Sequence, residues 1–546
     1  MSKNIVTNQA APRVDIDEYG TNIALVESVA QLAPHADTAE LSRIGQLVGS
    51  ADFQHDAALA NRVIPALSTH DRWGNRVDHV EFHPAYHRII KDDLEAGSHS
   101  LAWANPGPGA NVERAARFML FAQIEPGHSC PVSMTHAVVA SLKGTEHEAF
   151  WVPRALNCSY DPRLIDPADK HAVTFGMAMT EKQGGSDIRA NLTAAVPDSD
   201  AYLITGHKWF CSAPQSDAFL MLARLPEGVS CFLVPRILPG GDRNPFSIQR
   251  LKDKPGNRAN ASGEIELDGT RGYLVGEPGR GVRAIIEMVA QTRLDCIFGT
   301  TAGMRQAVSE AAWHARHRSA FGARLIDQPL MRSVIADLQL EAEAATWTAA
   351  HLAAAYDDKS TDAAEFRRMA TAVAKYWICK RGPNHAYEAM ECLGGNGYTE
   401  TFPLAMRYRE QPVLSVWEGS GNVIVLDVLR ALGRDPASGK AFSALLEHAR
   451  GRVGAYDAQF DRFSADMDWA TGIIASGEAA QAADLQRHGR AVVERMALLL
   501  QASILFEHAP AGIAESFVSA RLGADRGREY GALPDGVDID QLVSRA

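Results

Sequence analysis

The stretch between residues 175 and 285 limits the fold more than any other part of the chain, because helical periodicity stops there. Tyr202, Leu203 and Ile204 precede a Gly206-His207-Lys208 turn. Residues 219–225 and 230–234 are short apolar runs, and Ile265, Glu266 and Leu267 lead into Asp268-Gly269. Short runs bounded by turn residues at this spacing predict a small antiparallel barrel or sandwich. Strands alternating with helices are missing from the pattern, so a parallel dinucleotide-binding sheet is not expected.

The flanks read as helix. Ile44, Leu47 and Val48 share one face of a run that starts at Glu40 and ends at Gly49. Pro84 opens a helix within 82–90, and further helices cover about 111–123 and 133–142. After the strand block come 282–292, 302–317, the alanine-rich 329–356 and about 363–379, the spacing of a bundle. From Gly433 the chain stays helical and amphipathic. A chain of 546 residues is too long for one ordinary core. The expected architecture is α+β: an irregular arm over 1–35, an N-terminal helical domain over 36–176, a middle antiparallel β domain over 177–285, a helical bundle over 286–432, and a helical extension over 433–546. The arm is expected either to pack on a partner subunit or to be loose.

No window carries eighteen continuous apolar residues, so no membrane span is expected. The opening Met-Ser-Lys-Asn-Ile-Val-Thr-Asn-Gln has neither an apolar core nor a small-residue cleavage site, so no secretory signal is expected. The seven cysteines are scattered and odd in number, which suits a reducing, cytoplasmic compartment. Their spacing excludes zinc sites built from cysteine pairs, and no metal site is expected. His83, His87, His128 and His136 are assigned surface, cap or packing roles. The formal charge of -12 argues against a broadly basic nucleic-acid surface and leaves room only for a local patch.

Several segments carry chemistry. Residues 179–186 read Met-Thr-Glu-Lys-Gln-Gly-Gly-Ser, a run that either brings backbone N–H groups and a hydroxyl to a flat ligand or simply turns. Trp209, Phe210 and Ser212 either flank a heterocycle or place an aromatic in the core. Arg258 and Asn260 either hold an anion or cap their loop. Gly322, Gly394 and Gly395 let a backbone approach phosphates closely. Glu418 stands between Trp417 and Gly419, where an aromatic wall can raise a carboxylate toward useful basicity. Asn422 lines the same wall if a helix starts there.

Taken in order, Met179-Thr180-Glu181, the 208–212 strand, Arg318-x-x-Phe321-Gly322, Leu393-Gly394-Gly395-Asn396-Gly397-Tyr398 and Trp417-Glu418-Gly419-Ser420 resemble the acyl-CoA dehydrogenase family over about residues 40–432. The longer runs Gly-His-Lys-Trp-Phe, Leu-Lys-Asp-Lys-x-Gly-Asn-Arg and Trp-Glu-Gly-Ser-Gly-Asn, with the C-terminal extension, resemble its bacterial adaptive-response branch. The resemblance implies FAD between the β domain and the bundle, with a neighbouring subunit contributing. Met179, Thr180, Gly185 and Ser186 would contact the flavin or its phosphates, and Phe210 and Ser212 would flank the ring in place of the usual Trp and Thr. Arg318, Phe321, Gly394 and Gly395 would reach the partner's FAD, and Ser420 and Asn422 would complete the site. Glu418 matches the carboxylate that removes the α proton of an acyl-CoA while hydride passes to flavin N5. A family variant carries its base near Arg293, but Thr292 stands before that residue here and Asp295 does not match the position. Pro329 and Arg409-Glu410 depart from the usual Gln and Arg-Asp.

For the extension the resemblance implies a homotetramer built as a dimer of dimers, sequence-independent binding of double-stranded DNA in the alkylation response, and at most weak dehydrogenase activity. Arg434, Arg450, Arg452, Arg487 and Arg490 are candidate phosphate contacts, as are Arg495, Arg521, Arg526 and Arg528. Residues 433–546 nevertheless hold twelve Lys or Arg against sixteen Asp or Glu. That balance keeps open a dimer-stabilising helical domain, and with it two other functions: a metabolic acyl-CoA dehydrogenase without a DNA role, or a noncatalytic flavin-stabilised scaffold.

Overall fold

The computed structural model describes residues 5–546. They form two compact units. One joins the segment up to Ala51 with Gly107–Gln123 and Cys296–Ala546; the other joins Asp52–Pro106 with Ile124–Asp295. No helix among the described residues is long and apolar enough to cross a membrane.

The second unit contains the strands. A hairpin of β1 (Ala66–His70) and β2 (Arg76–Glu81) comes first. Sequence reading passed it over because its strands are short and largely exposed, although the Gly74-Asn75 turn and the alternation in Arg76–Glu81 are hairpin signals. The main sheet holds β3 (Phe175–Ala178), β4 (Ala194–Asp198), β5 (Ala201–Ser212), β6 (Ala218–Leu225), β7 (Gly228–Pro235), β8 (Phe246–Leu251) and β9 (Ser262–Val275). Its order is β3-β5-β4-β6-β7-β9-β8, and the extra β3–β6 and β5–β9 pairings return the ladder on itself. The expectation of a purely antiparallel domain needs one correction: β3 runs parallel to β6, and β4 meets β6 in parallel. Parallel neighbours need a long crossover, which β4 and β5 supply between β3 and β6, and β5 between β4 and β6. The apolar runs of β6 and β7 are continuous because both faces are buried. Phe219 stacks on Phe246 inside, with ring centroids 5.0 Å apart.

Within β5 the register shifts between Lys208 and Cys211. Such a bulge re-aims side chains. Lys208 and Cys211 both point inward and are fully buried, while Phe210 is 47% exposed.

His128 is buried in the same unit, between two carboxylates. Its Nε2 lies 2.9 Å from Asp93 and its Nδ1 3.0 Å from Glu125. Burial pushes the imidazole toward neutrality, but the hydrogen bonds and charges of Asp93 and Glu125 prevail and lift its pKa to about 9. Its packing role therefore includes a charge that the sequence did not disclose. A folded pKa raised above the ordinary 6.5 contributes stability that is complete below about 6.5 and disappears as pH rises through about 9. Unfolding midpoints measured from pH 6 to 10 should fall across that window, and His128→Gln should flatten the fall. A wild-type midpoint that is level from pH 6.5 to 9.5 would contradict the assignment.

In the helical unit, Pro329–Asp357 is the central element. It is packed by Ala110–Ala122, Ile23–Leu32, Thr361–Cys392, Ala479–His508 and Ile539–Arg545. Its run of alanines permits close approach from several sides. The two helices expected over 282–317 are one, Gly281–His317, because the residues between them hold no proline and their single glycine, Gly299, is tolerated inside a long helix. The arm is not simply irregular, since Ile23–Leu32 is a helix capped by Asn22 with Leu25 and Val29 buried. Residues Met1–Asn4 of the expected arm lie outside the described residues. Asn8 accepts a hydrogen bond from Arg318 at 2.6 Å and exchanges two more with Ser319, so the arm packs on its own chain.

The extension shares the core of this unit. Arg545 pairs with Glu343 and Glu27, and Arg521 pairs with Asp337 at 2.6 Å and Glu341 at 2.9 Å. Arg521 is thereby corrected as a nucleic-acid contact: its guanidinium is largely buried and turned inward onto two carboxylates.

Candidate functional site

In the β unit, the loop after β3 is built on a buried ion pair. Lys208 Nζ donates to Glu181 Oε1 at 2.8 Å and to the Leu222 carbonyl at 2.6 Å, and both charged side chains are fully buried. Glu181 also accepts the backbone N–H of Leu192 at 2.7 Å and that of Thr193 at 3.2 Å. Burial alone would raise the Glu181 carboxyl, yet the Lys208 hydrogen bond and charge hold it down at about 2. Around this pair, Asn191 donates to the Met179 carbonyl at 2.9 Å and the Trp209 N–H to the Thr180 carbonyl at 2.8 Å. Gly185 is obligatory, since a Cβ there would lie 2.3 Å from Thr180 Oγ1. Ser186 is exposed beside it.

The β5 bulge removes the core reading for Phe210. Phe210 is not a core residue; it presents a half-open apolar face. Lys252 Nζ sits 3.3 Å from the Trp209 ring centroid and 4.6 Å from that of Phe210, held there by Glu264 at 2.7 Å. Ser212 pairs with Met177 of β3 and Ser262 of β9, which ties it to the base of the same loop. Asn260 is buried and donates to Asn257, so it closes its loop, whereas Arg258 lines a cavity of about 410 Å³ with Arg250, Lys252 and Lys254. Thr292 turns its hydroxyl to the helix backbone, and Asp295 accepts the Ser133 hydroxyl at 2.7 Å.

In the helical unit, Glu418 lies on the turn between Pro403–Leu414 and Gly421–Arg434. It adopts φ 57°, and Gly419 follows at φ 110°. A left-handed glutamate is costly and persists only where its surroundings impose it. Here the buried Lys375 does so, donating to the Trp417 carbonyl at 3.0 Å and the Gly419 carbonyl at 2.6 Å. Trp417 packs on Cys296, Cys379 and Leu414. The carboxylate-bearing turn is therefore clamped from both sides while the Glu418 side chain is half-buried. Ser420 caps the next helix by position, with its hydroxyl making no cap bond, and the Lys380 side chain crosses Gly421. Asn422 accepts a hydrogen bond from Arg490 at 2.9 Å, so the extension reaches this segment.

Arg318 opens a hairpin of β10 (Ser319–Ala320) and β11 (Ala323–Arg324). Phe321 and Gly322 form its turn with φ 53° and 82°, the conformation of a tight two-residue hairpin loop. Phe321 is 100% exposed at the tip. In the segment Gly394–Tyr398, Gly394 takes φ 59° and Gly397 packs on the Met390 carbonyl, whereas a side chain on Gly395 would meet no atom of the chain within 4 Å. Gly395 lies at the surface.

Glu181, Lys208 and Lys375 were missed as site-forming groups, and so was the contact of Arg490 with Asn422. The available signal was a charge at an otherwise apolar position, as with Lys375 among Ala372, Val373, Ala374, Tyr376 and Trp377. Of the other extension arginines, Arg495 pairs with Asp466, Arg487 with Asp484, and Arg450 with Glu447 and Asp461. Arg434, Arg452, Arg526 and Arg528 are exposed.

The comparisons agree with this layout. The model of the adaptive response protein AidB N-terminal domain matches residues 8–162, that of the acyl-CoA dehydrogenase middle domain 176–270, and that of the acyl-CoA dehydrogenase C-terminal domain 279–433. The AidB protein of Escherichia coli is 44% identical over 84% of this chain and 85% of its own length. Acyl-CoA dehydrogenase family member 11 of Caenorhabditis elegans is 29% identical over 81% of this chain and 75% of its own. The solved structure of Caenorhabditis elegans ACDH-11 in complex with C11-CoA superposes with a TM-score of 0.83 at 25% identity, covering 100% of this chain and 93% of that one. The chain belongs to the acyl-CoA dehydrogenase family, in its AidB branch.

Proposed function

We propose that the protein is an FAD-bearing flavoprotein of the alkylation response that binds double-stranded DNA without sequence specificity and retains weak acyl-CoA dehydrogenase chemistry at Glu418. The observation that carries the chemical half is the Glu418 turn, held in a left-handed conformation by Lys375. FAD, the cofactor of the family, would supply the hydride acceptor. Within the β unit the half-exposed Phe210 offers a flat ring a stacking face, and within the helical unit the surface at Gly395 would take a second copy's cofactor. Glu418 would take the α proton of a thioester. The structural relative that holds C11-CoA supports an acyl-CoA as its source. A second copy in a dimer of dimers would cover the wholly exposed Phe321.

The DNA half rests on kinship with AidB and on the exposed arginines of the extension. Four phosphate contacts would weaken binding on the order of 100-fold between 50 and 200 mM salt. A duplex titration at those two concentrations should therefore show retention at the lower and loss at the higher, unchanged when the duplex sequence is scrambled. A second reading, a metabolic dehydrogenase without a DNA role, is favoured by the inward pairing of Arg521 and by the ion pair that occupies Arg495 with Asp466. Absence of retention at 50 mM salt decides for it.

A further inference from the structure

We propose that His351, Glu507 and His508 form a site for one divalent transition-metal ion of the zinc type. His351 lies on the helix Pro329–Asp357, and Glu507 and His508 end the helix Ala479–His508. His351 Nδ1 and His508 Nε2 are 2.9 Å apart, and a Glu507 oxygen is 3.7 Å from the same Nε2. The ligand atoms of all three lie within 4.8 Å of one another.

Two rings that face each other through their nitrogens share a single proton, so one already presents a lone pair. Zinc–nitrogen bonds of about 2.0–2.1 Å place tetrahedral ligand nitrogens about 3.3 Å apart. The rings need part by only a few tenths of an ångström as the ion takes the place of that proton, which moves to the second nitrogen of the ring that carried it. The surroundings hold His508 in place: the Gln31 side-chain amide is 3.1 Å from its Nδ1 and, turned end for end, presents its carbonyl to the Nδ1–H of the metal-bound tautomer, while Trp347 lies parallel to the ring with an interplanar angle of 12°. An imidazole oriented through its second nitrogen is the usual support for a metal ligand. Glu507 is 47% exposed, which provides an entry path and room for water as the fourth ligand. The site also stands at the C-terminal end of a helix of 30 residues, where a cation is favoured. Two imidazoles and a carboxylate suit zinc or cobalt over calcium or magnesium. A bound ion would tie the extension to the central helix of the bundle across 157 residues of sequence and stabilise that docking by mass action.

The test uses the full-length protein, stripped with EDTA and dialysed. Titration with zinc chloride should show one ion bound per chain and a higher unfolding midpoint. Cobalt chloride should give the strong visible absorption of tetrahedral coordination at wavelengths beyond the flavin bands. Glu507→Gln, at an exposed position that folding tolerates, should weaken binding. His508→Gln should abolish it, and Gln31→Leu should cost about 10–100-fold. Zinc uptake equal in wild type and in the Glu507→Gln/His508→Gln double variant would overturn the site and leave the two rings as a plain hydrogen-bonded pair. Pale, octahedral cobalt spectra would overturn it as well.

Discussion

Glu418→Gln leaves the protein yellow and slows flavin bleaching by an acyl-CoA by about 10²–10⁴-fold, the usual contribution of a positioned general base. The amide keeps the size and shape of the side chain but cannot accept the α proton. The turn should survive, because Lys375 grips the carbonyls of Trp417 and Gly419 rather than the carboxylate. Anaerobic spectra with a panel of acyl-CoAs measure this directly, with flavin content as the folding control. Bleaching at the wild-type rate in the variant would remove Glu418 as the base. Failure of every acyl-CoA to bleach the wild type would instead favour the noncatalytic scaffold. A companion variant, Lys375→Met, separates the two roles of the turn. It keeps the carboxylate but releases its left-handed backbone, so reduction should slow even though the base is present.

Lys208→Met should cost about 3–5 kcal/mol, because it leaves the fully buried Glu181 charge without its counter-ion. Replacing both partners, as Lys208→Met with Glu181→Gln, should recover much of that loss, since the penalty comes from one unpaired charge. Urea unfolding of wild type, both single variants and the double variant forms a closed cycle that isolates the coupling. A Lys208→Met midpoint within experimental error of wild type would refute it, as would a double variant no more stable than the worse single one. The same variant should lose FAD on gel filtration, because the pair anchors the backbone that carries Met179, Thr180 and Gly185. The sign with acid follows from Glu181. Its folded pKa of about 2 lies below the ordinary 4.5, so its stabilisation is present above about 4.5 and is lost as pH falls through 2.

Much of the architecture is legible in the residue pattern. Apolar runs of two periods separated strands from helices, and proline or glycine marked several ends correctly, as at Pro84 and Gly49. What escaped had weak local signal. The β1–β2 hairpin buries little, and the parallel pairing of β3 with β6 leaves no trace in either strand alone. The division into two compact units also mixes segments far apart in sequence: Ala110–Ala122 packs on Pro329–Asp357 although more than 200 residues separate them. The candidate site was legible as a set of motifs, but the groups that hold those motifs in place were not.

Residue order by itself determined the family and the succession of helical and strand segments, and it singled out Glu418 as the proposed base, because those depend on local pattern and on motif order. Only the tertiary structure decided that Glu181 and Lys208 share one buried bond, that a bulge sends Phe210 outward, that Lys375 clamps the Glu418 turn, and that Arg521 faces two carboxylates instead of solvent. Each of these is a pairing across tens to hundreds of residues. Its energy comes from burial and from register, and neither is a property of any stretch of chain taken alone.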